Sequence, residues 1–352
     1  MTDKKEYKSD FTLKMMCKIL FRIMGFCAHC EVKLRTKSYV DLYRKHDISD
    51  IDVLGYKFFP DLSYMTVGSE CKSGEEGALD EIYKLIGVRD YFSLDKAYFL
   101  KKKIHQNARQ VALSSKIMTF SEAEFRVLLF GLGVDVDKEI KIEKAIYFNL
   151  KNAREYIKKV DEKLLSYMLF EYWNKENWRN IHNIIYRLES LKDISEKNIS
   201  IEFKLYLYNT LELLIRSILL NVSRAMSLNY SDIENSSKVL LFGDAESLHE
   251  RRKLLDLVNI ELGGQNGLKA SWQEDYIDLC RRFSEKPNYS SLMPDLIHDI
   301  VNNSFYERMI IIDKKLIAKY NEITRKFIQD IIQFLEKNLD LNKKFFKEFM
   351  EL

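Results

Sequence analysis

Apolar residues recur at helical spacing between residues 11 and 28, at Leu13, Met16, Cys17, Leu20 and Ile23/Met24, which predicts an opening helix with one buried face. Beyond it the period shortens towards two. Strands are predicted at 32–39, 50–58 and 64–72, and the Pro60-Asp61-Leu62-Ser63 turn makes the last two an antiparallel hairpin. After Ser73-Gly74 the pattern predicts a helix over 76–92, a strand at 97–100, a helix at 107–113 and a strand at 116–120. The order is α-β-β-β-α-β, followed by α and β.

Past residue 138 the helical period dominates. Ile312, Leu316, Tyr320, Ile323, Phe327, Ile331 and Phe334 keep one face apolar over a long run, which predicts a core stripe. The apolar stretch 205–222 contains Glu212 and Arg216 and reads as a buried helix. Eight of the 12 glycines precede residue 134, so the break between a mixed region and a helical one falls near 131–138. Two domains are expected, an α/β domain over 1–134 and an all-α domain over 135–352. No repeat of fixed period and no low-complexity segment stands out.

A net charge of +3 is far from the strongly basic balance that announces nucleic-acid binding by itself, so such a surface has to be a local patch. Basic clusters lie at Lys101-Lys102-Lys103, Arg251-Arg252-Lys253 and Arg281-Arg282, and solvated faces account for such runs as a rule. Five unevenly spread cysteines suit free thiols in a reducing compartment, and the cytoplasm is the expectation. Lys14, Lys18 and Arg22 break the first apolar stretch, so it is not a signal peptide. No window reaches the roughly 18 uninterrupted apolar residues of a membrane span.

The hairpin carries the chemistry. Its first strand reads Asp50-Ile51-Asp52-Val53-Leu54-Gly55 and its second Val67-Gly68-Ser69-Glu70-Cys71-Lys72. Residues two apart on a strand share a face, so Glu70 and Lys72 point together and the hairpin brings Asp52 alongside. Asp52 and Glu70 are hard oxygen ligands for Mg²⁺, with the Cys71 carbonyl as a third candidate oxygen. Lys72 adds a compact positive charge to orient a water and stabilise a phosphorane. Glu-x-Lys alone is weak, since it also occurs at Glu6/Lys8, Glu31/Lys33, Glu139/Lys141 and Glu202/Lys204. Only Glu70/Lys72 follows an acid-bearing apolar strand and precedes a turn and helix. An ordinary cross-strand ion pair remains the bland alternative.

With that order and spacing, the segment of about residues 11–121 resembles the PD-(D/E)XK phosphodiesterase superfamily, whose core is αβββαβ, and within it the Mrr-like restriction-endonuclease branch. Asp52 matches the metal-binding acid of an apolar strand, and Glu70 and Lys72 match the E-x-K half-motif. The family's leading proline is absent, with Ile51 in its place, and the following helix lacks the Gln and Tyr pair of the RecB-like branch. The resemblance implies a Mg²⁺-dependent deoxyribonuclease, with Mn²⁺ substituting, catalytic Asp52, Glu70 and Lys72, and endonuclease over exonuclease action. It further implies prokaryotic restriction or anti-phage defence, with DNA, a second copy of the chain and a partner ATPase as partners. The helical domain would then supply specificity, oligomerisation or regulation. The competing class is a catalytically silent scaffold that binds a protein through the helical domain.

Weaker candidates are Asp50 as a second acid and Lys84 and Arg89 as phosphate contacts. Cys27-Ala28-His29-Cys30 invites zinc but has no second pair at finger-like spacing, and buried thiols ending the first helix are the plainer expectation. Gly263-Gly264-Gln265-Asn266-Gly267 lacks the Lys-Ser/Thr of a phosphate loop. An RNA-cleaving helical domain ranks last, because neither Arg216 nor Arg224 has a histidine a few residues on.

Overall fold

The computed structural model describes residues 2–35, 47–74, 77–194, 199–250, 253, 271–310, 312, 314–350 and 352. The glycine-rich 263–267, the basic pair Arg251-Arg252, Glu76 and the end of the strand expected to reach Tyr39 lie outside them. Two compact units form. One comprises Met1–Lys57, Tyr64–Asn152 and Leu165–Asn174, the other Phe58–Ser63, Ala153–Leu164 and Lys175–Leu352.

In the first unit the order is α1 (Thr2–Ile23), β1 (Cys27–Arg35), β2 (Asp47–Phe58), β3 (Tyr64–Lys72), α2 (Ala78–Phe92), β4 (Lys96–Lys101), α3 (Gln106–Ser114) and β5 (Ile117–Ser121). Helices α4 (Glu122–Gly131) and α5 (Val136–Val160) follow. The five strands form one mixed sheet in the order β1-β2-β3-β4-β5. Strands β1 and β2 are antiparallel, whereas β3, β4 and β5 run parallel. The link from β2 to β3 is too short for a crossover, which demands a hairpin.

The sheet is covered on both faces. On one, α1 packs Leu13, Met16, Cys17 and Leu20 onto Val53, Val67, Cys71, Tyr98 and Leu100. On the other, Ala97, Phe99 and Ile117 meet Ile82 and Leu85 of α2 and Ala108 and Ala112 of α3. Strand alternation therefore puts Gly68, Glu70 and Lys72 on the side opposite Val67 and Cys71.

The main departures from expectation are the end of α1, the start of β1, helix α4 and the long stripe. Helix α1 stops at Ile23, because Gly25 takes φ 76 and the Phe26 amide bonds back to the Phe21 carbonyl, a Schellman-type stop. Cys27, His29 and Cys30 thus lie on β1, not at a helix end, and alternation splits them between faces. Helix α4 was not expected, although Ser121 and Glu124 spell its capping box: the Ser121 hydroxyl accepts from the Glu124 amide and the Glu124 carboxylate from the Ser121 amide. The long stripe is two helices, Lys314–Ile317 and Glu322–Leu339, because the Asn321 side chain accepts from the Ile323 amide at 2.8 Å and starts the second.

The second unit is helical around Ile201–Asn229, whose buried positions run through 205–222 apart from Asn209, Arg216 and Leu220. There Glu212, buried, bonds His298 Nδ1 at 3.0 Å, and Asn177 Nδ2 donates to the Ser217 carbonyl at 2.8 Å. Buried polar groups need such partners. No described helix is long and apolar enough to cross a membrane.

Candidate active site

The three residues singled out by the hairpin sit on adjacent strands. Asp52 is buried at 3% exposure on β2, and its Oδ2 accepts the Cys71 backbone amide of β3 at 2.6 Å. Glu70 and Lys72 flank that amide, and their side chains pair at 2.7 Å. Glu70 and Asp52 are close enough to repel each other. Burial first, then the Asp52 charge, pushes the Glu70 carboxyl up to about 7, against the opposing pull of Lys72. Burial also raises the Asp52 carboxyl above its usual range, while Lys14, the Cys71 amide and Lys72 oppose that push. Burial works against the Lys72 charge, but Glu70 and Asp52 outweigh it and hold the ammonium firmly protonated.

The sequence reading missed the groups around this trio. Lys14 of α1 stands 2.7 Å from Asp52 Oδ1 and 3.5 Å from Glu31 Oε1. The Tyr147 hydroxyl of α5 donates to Glu31 Oε2 at 2.7 Å. Burial disfavours the Lys14 charge, yet Asp52 and Glu31 together raise its pKa above that of an ordinary lysine. Lys101, in register with Lys72 across β3 and β4, is 1% exposed, and burial lowers its pKa despite Glu81 and Asp10 nearby. A signal for Lys14 was present. Asp10, Lys14, Lys18 and Arg22 form an i, i+4 stripe of charges along the otherwise largely apolar stretch 11–23 of the helix, and such a stripe has to meet partners in the core.

The remaining candidates do not join the trio. Asp50 pairs with Lys33 at 3.5 Å at a half-exposed position. Lys84 pairs with Glu81 at 3.2 Å on the α2 surface. Arg89 donates to Asp90 and to the Ser115 carbonyl after α3. The other Glu-x-Lys pairs whose side chains are described bond elsewhere: Glu31 to Lys14, Glu139 to Arg22 and Lys204 to Glu348. The Cys71 thiol is buried, its Sγ 3.8 Å from Ser69 Oγ, and burial raises its pKa.

The donor chemistry fits a divalent cation. A buried Asp52 carboxylate that raises the proton affinity of the half-buried Glu70 beside it is a charge arrangement that a hard cation would relieve, and one or two protein carboxylates are the usual Mg²⁺ complement. No family model, curated protein or solved structure matches the chain.

Proposed function

We propose that the N-terminal unit is a metal-dependent deoxyribonuclease of the PD-(D/E)XK kind, cutting internal phosphodiester bonds in prokaryotic restriction or anti-phage defence. One observation carries this reading: the charge of the buried Asp52 acts on the half-buried Glu70 of the neighbouring strand, with Lys72 paired to Glu70. The α-β-β-β-α-β order that delivers them supports it.

Asp52 and Glu70, with the Cys71 carbonyl as third oxygen, would hold Mg²⁺ or Mn²⁺, which when bound lowers the pKa of water and offsets charge on the phosphate. Glu70 must lose its proton to serve, and a carboxyl near 7 does so around neutral pH. Lys72, its side chain 37% exposed, can reach a phosphate and orient the attacking water. The helical unit would supply substrate choice, assembly with a second copy or control by a partner such as an ATPase. A cytoplasmic setting suits the five free thiols.

A silent scaffold that works through the helical unit is favoured by a different observation. Lys14 already neutralises Asp52 at 2.7 Å, so the acid is satisfied without a cation.

Supercoiled plasmid, linear duplex and single-stranded DNA, each incubated with Mg²⁺, Mn²⁺ or EDTA, separate the two. The expected outcome is metal-dependent cutting that drops by about 10²–10³ in a folded Lys72→Ala variant, the usual cost of removing one transition-state charge partner. Equal inertness of both proteins, with no cation bound by either, would leave the scaffold.

A further inference from the structure

The β1–β2 ladder keeps one antiparallel register from Cys27↔Tyr56 to Leu34↔Ser49, with Cys30 opposite Val53 and Val32 opposite Ile51. That register places Glu31 opposite Asp52, and this rung does not form. Glu31 instead takes φ 58, a left-handed conformation that a residue with a Cβ rarely adopts. Two acids facing each other across adjacent strands repel, so a cation has to stand between them. Lys14 is that cation, reaching Asp52 Oδ1 at 2.7 Å and Glu31 Oε1 at 3.5 Å with a side chain 15% exposed. Tyr147 fixes Glu31 from behind through Oε2 at 2.7 Å, leaving Oε1 turned to Lys14. One ammonium is thus offered two carboxylates, one engaged and one in waiting.

We propose that Lys14 is a positioning residue, a tethered counter-ion that keeps Asp52 company in the cation-free protein and passes to Glu31 when a divalent cation takes Asp52. The inference rests on the cation-dependent reading above and adds to it an internal competitor and the acceptor that receives it. Without such a receiver, a lysine held at 2.7 Å would oppose the incoming ion by like charge. With it, the ammonium needs only to rebalance between two oxygens already within reach. Charge is conserved throughout, because no proton moves.

The test is calorimetric titration of the full chain with Mn²⁺, and separately Mg²⁺, without nucleic acid, in wild type, Glu31→Gln, Lys14→Met and the double variant. Glu31→Gln removes the receiver, and it should weaken cation binding about tenfold, a coupling within the span of contacting residues. In the Lys14→Met background there is no ammonium to house, so the same substitution should change binding by less than about twofold. A Glu31 effect of equal size in both backgrounds would overturn the inference and leave the cation reading standing, since Glu31 would then act as a plain charge. No binding by wild type would remove both. Thermal unfolding of each variant checks the fold, and Lys14→Gln replaces the methionine variant if that one does not fold.

Discussion

The backbone amide of Cys71 donates to Oδ2 of Asp52 at 2.6 Å, which ties the acid of β2 to the residue lying between Glu70 and Lys72 on β3. A side-chain carboxylate here takes an amide that a strand would ordinarily give to a backbone carbonyl. The tie sets the depth of Asp52 against its two partners without any contribution from the Cys71 side chain. The position therefore constrains backbone conformation more than residue type. Cys71→Ser or Cys71→Ala should leave cation binding by the full chain within about threefold of wild type, because the amide remains. A complete loss of binding in a folded Cys71→Ala variant would mean the buried thiol itself is needed.

Glu70 gives the site a pH signature. Its carboxyl titrates near 7 in the folded protein against an ordinary 4.5, so the folded chain keeps a proton that the unfolded chain has lost. Stability from this group is full below the unfolded value and falls as pH rises from 4.5 to about 7, then stays level. Urea unfolding of wild type and Glu70→Gln across this window should show wild type losing ground to the variant as pH rises. Mn²⁺ affinity of wild type should climb over the same approach to neutrality. A difference between the two proteins that is flat with pH would mean that Glu70 has an ordinary carboxyl.

Much of the first unit could be read from periodicity, because its strands carry apolar runs and several are bounded by turns. Strand β3 matches its expected limits, and α2, β4, α3 and β5 fall within two residues of theirs wherever described. The end of α1 was not legible in the same way: apolar residues continue through Phe26 and Cys27, and only the left-handed Gly25 stops the helix. The stripe from 312 to 334 misled because apolar spacing persists across Ala318–Asn321, where the capping Asn321 restarts the helix. At the site, strand alternation reveals Glu70 with Lys72. It cannot reveal Lys14 or Glu31, because one comes from a helix packed over the sheet and the other from a strand paired at long range. Their contacts with Asp52 are tertiary, and the charge stripe of α1 says only that Lys14 needs a partner, not which one.

The charge stripe of α1 makes a second buried pair. Lys18 Nζ lies 2.8 Å from Glu143 Oε2 of α5, with Glu143 at 0% and Lys18 at 6% exposure. Removing one member strands the other in the core. Lys18→Met should cost about 3 kcal/mol, towards the low end for a broken buried pair, because Arg22 Nη1 remains 3.5 Å from Glu143. Adding Glu143→Leu should recover most of that loss, since apolar replacement of both members is often neutral. Denaturant midpoints of the single and double variants decide it, and a double variant weaker than the single would refute this account.

Gly55 marks how closely α1 sits on the sheet. A Cβ there would meet Val67 Cγ2 at 2.9 Å, Phe26 Cβ at 3.1 Å and Phe21 Cδ2 at 3.2 Å. Gly55→Ala should therefore destabilise the first unit by about 1–3 kcal/mol through overpacking. Thermal unfolding followed by circular dichroism measures it, and an unchanged midpoint would show that Val67 and the two phenylalanines give way freely.

Asp52 separates its structural role from its chemical one. Alanine at this position leaves the Cys71 amide without its acceptor and Lys14 with only Glu31 at 3.5 Å. The expected cost is about 3–5 kcal/mol, as for a buried pair broken on one side. Asparagine keeps a carbonyl for the Cys71 amide and turns its NH₂ towards Lys14, so it loses the ion pair and keeps the strand tie. It should fall between wild type and alanine, about 1–2 kcal/mol below wild type. Both variants should lose Mn²⁺ binding, because neither offers a carboxylate beside Glu70. Urea unfolding gives the order of stability and calorimetry the binding. An asparagine variant that is nearly as stable as wild type yet binds no cation would assign the charge of Asp52 to chemistry and its hydrogen bond to the fold. An asparagine variant that still binds Mn²⁺ like wild type would remove Asp52 from the ligand set.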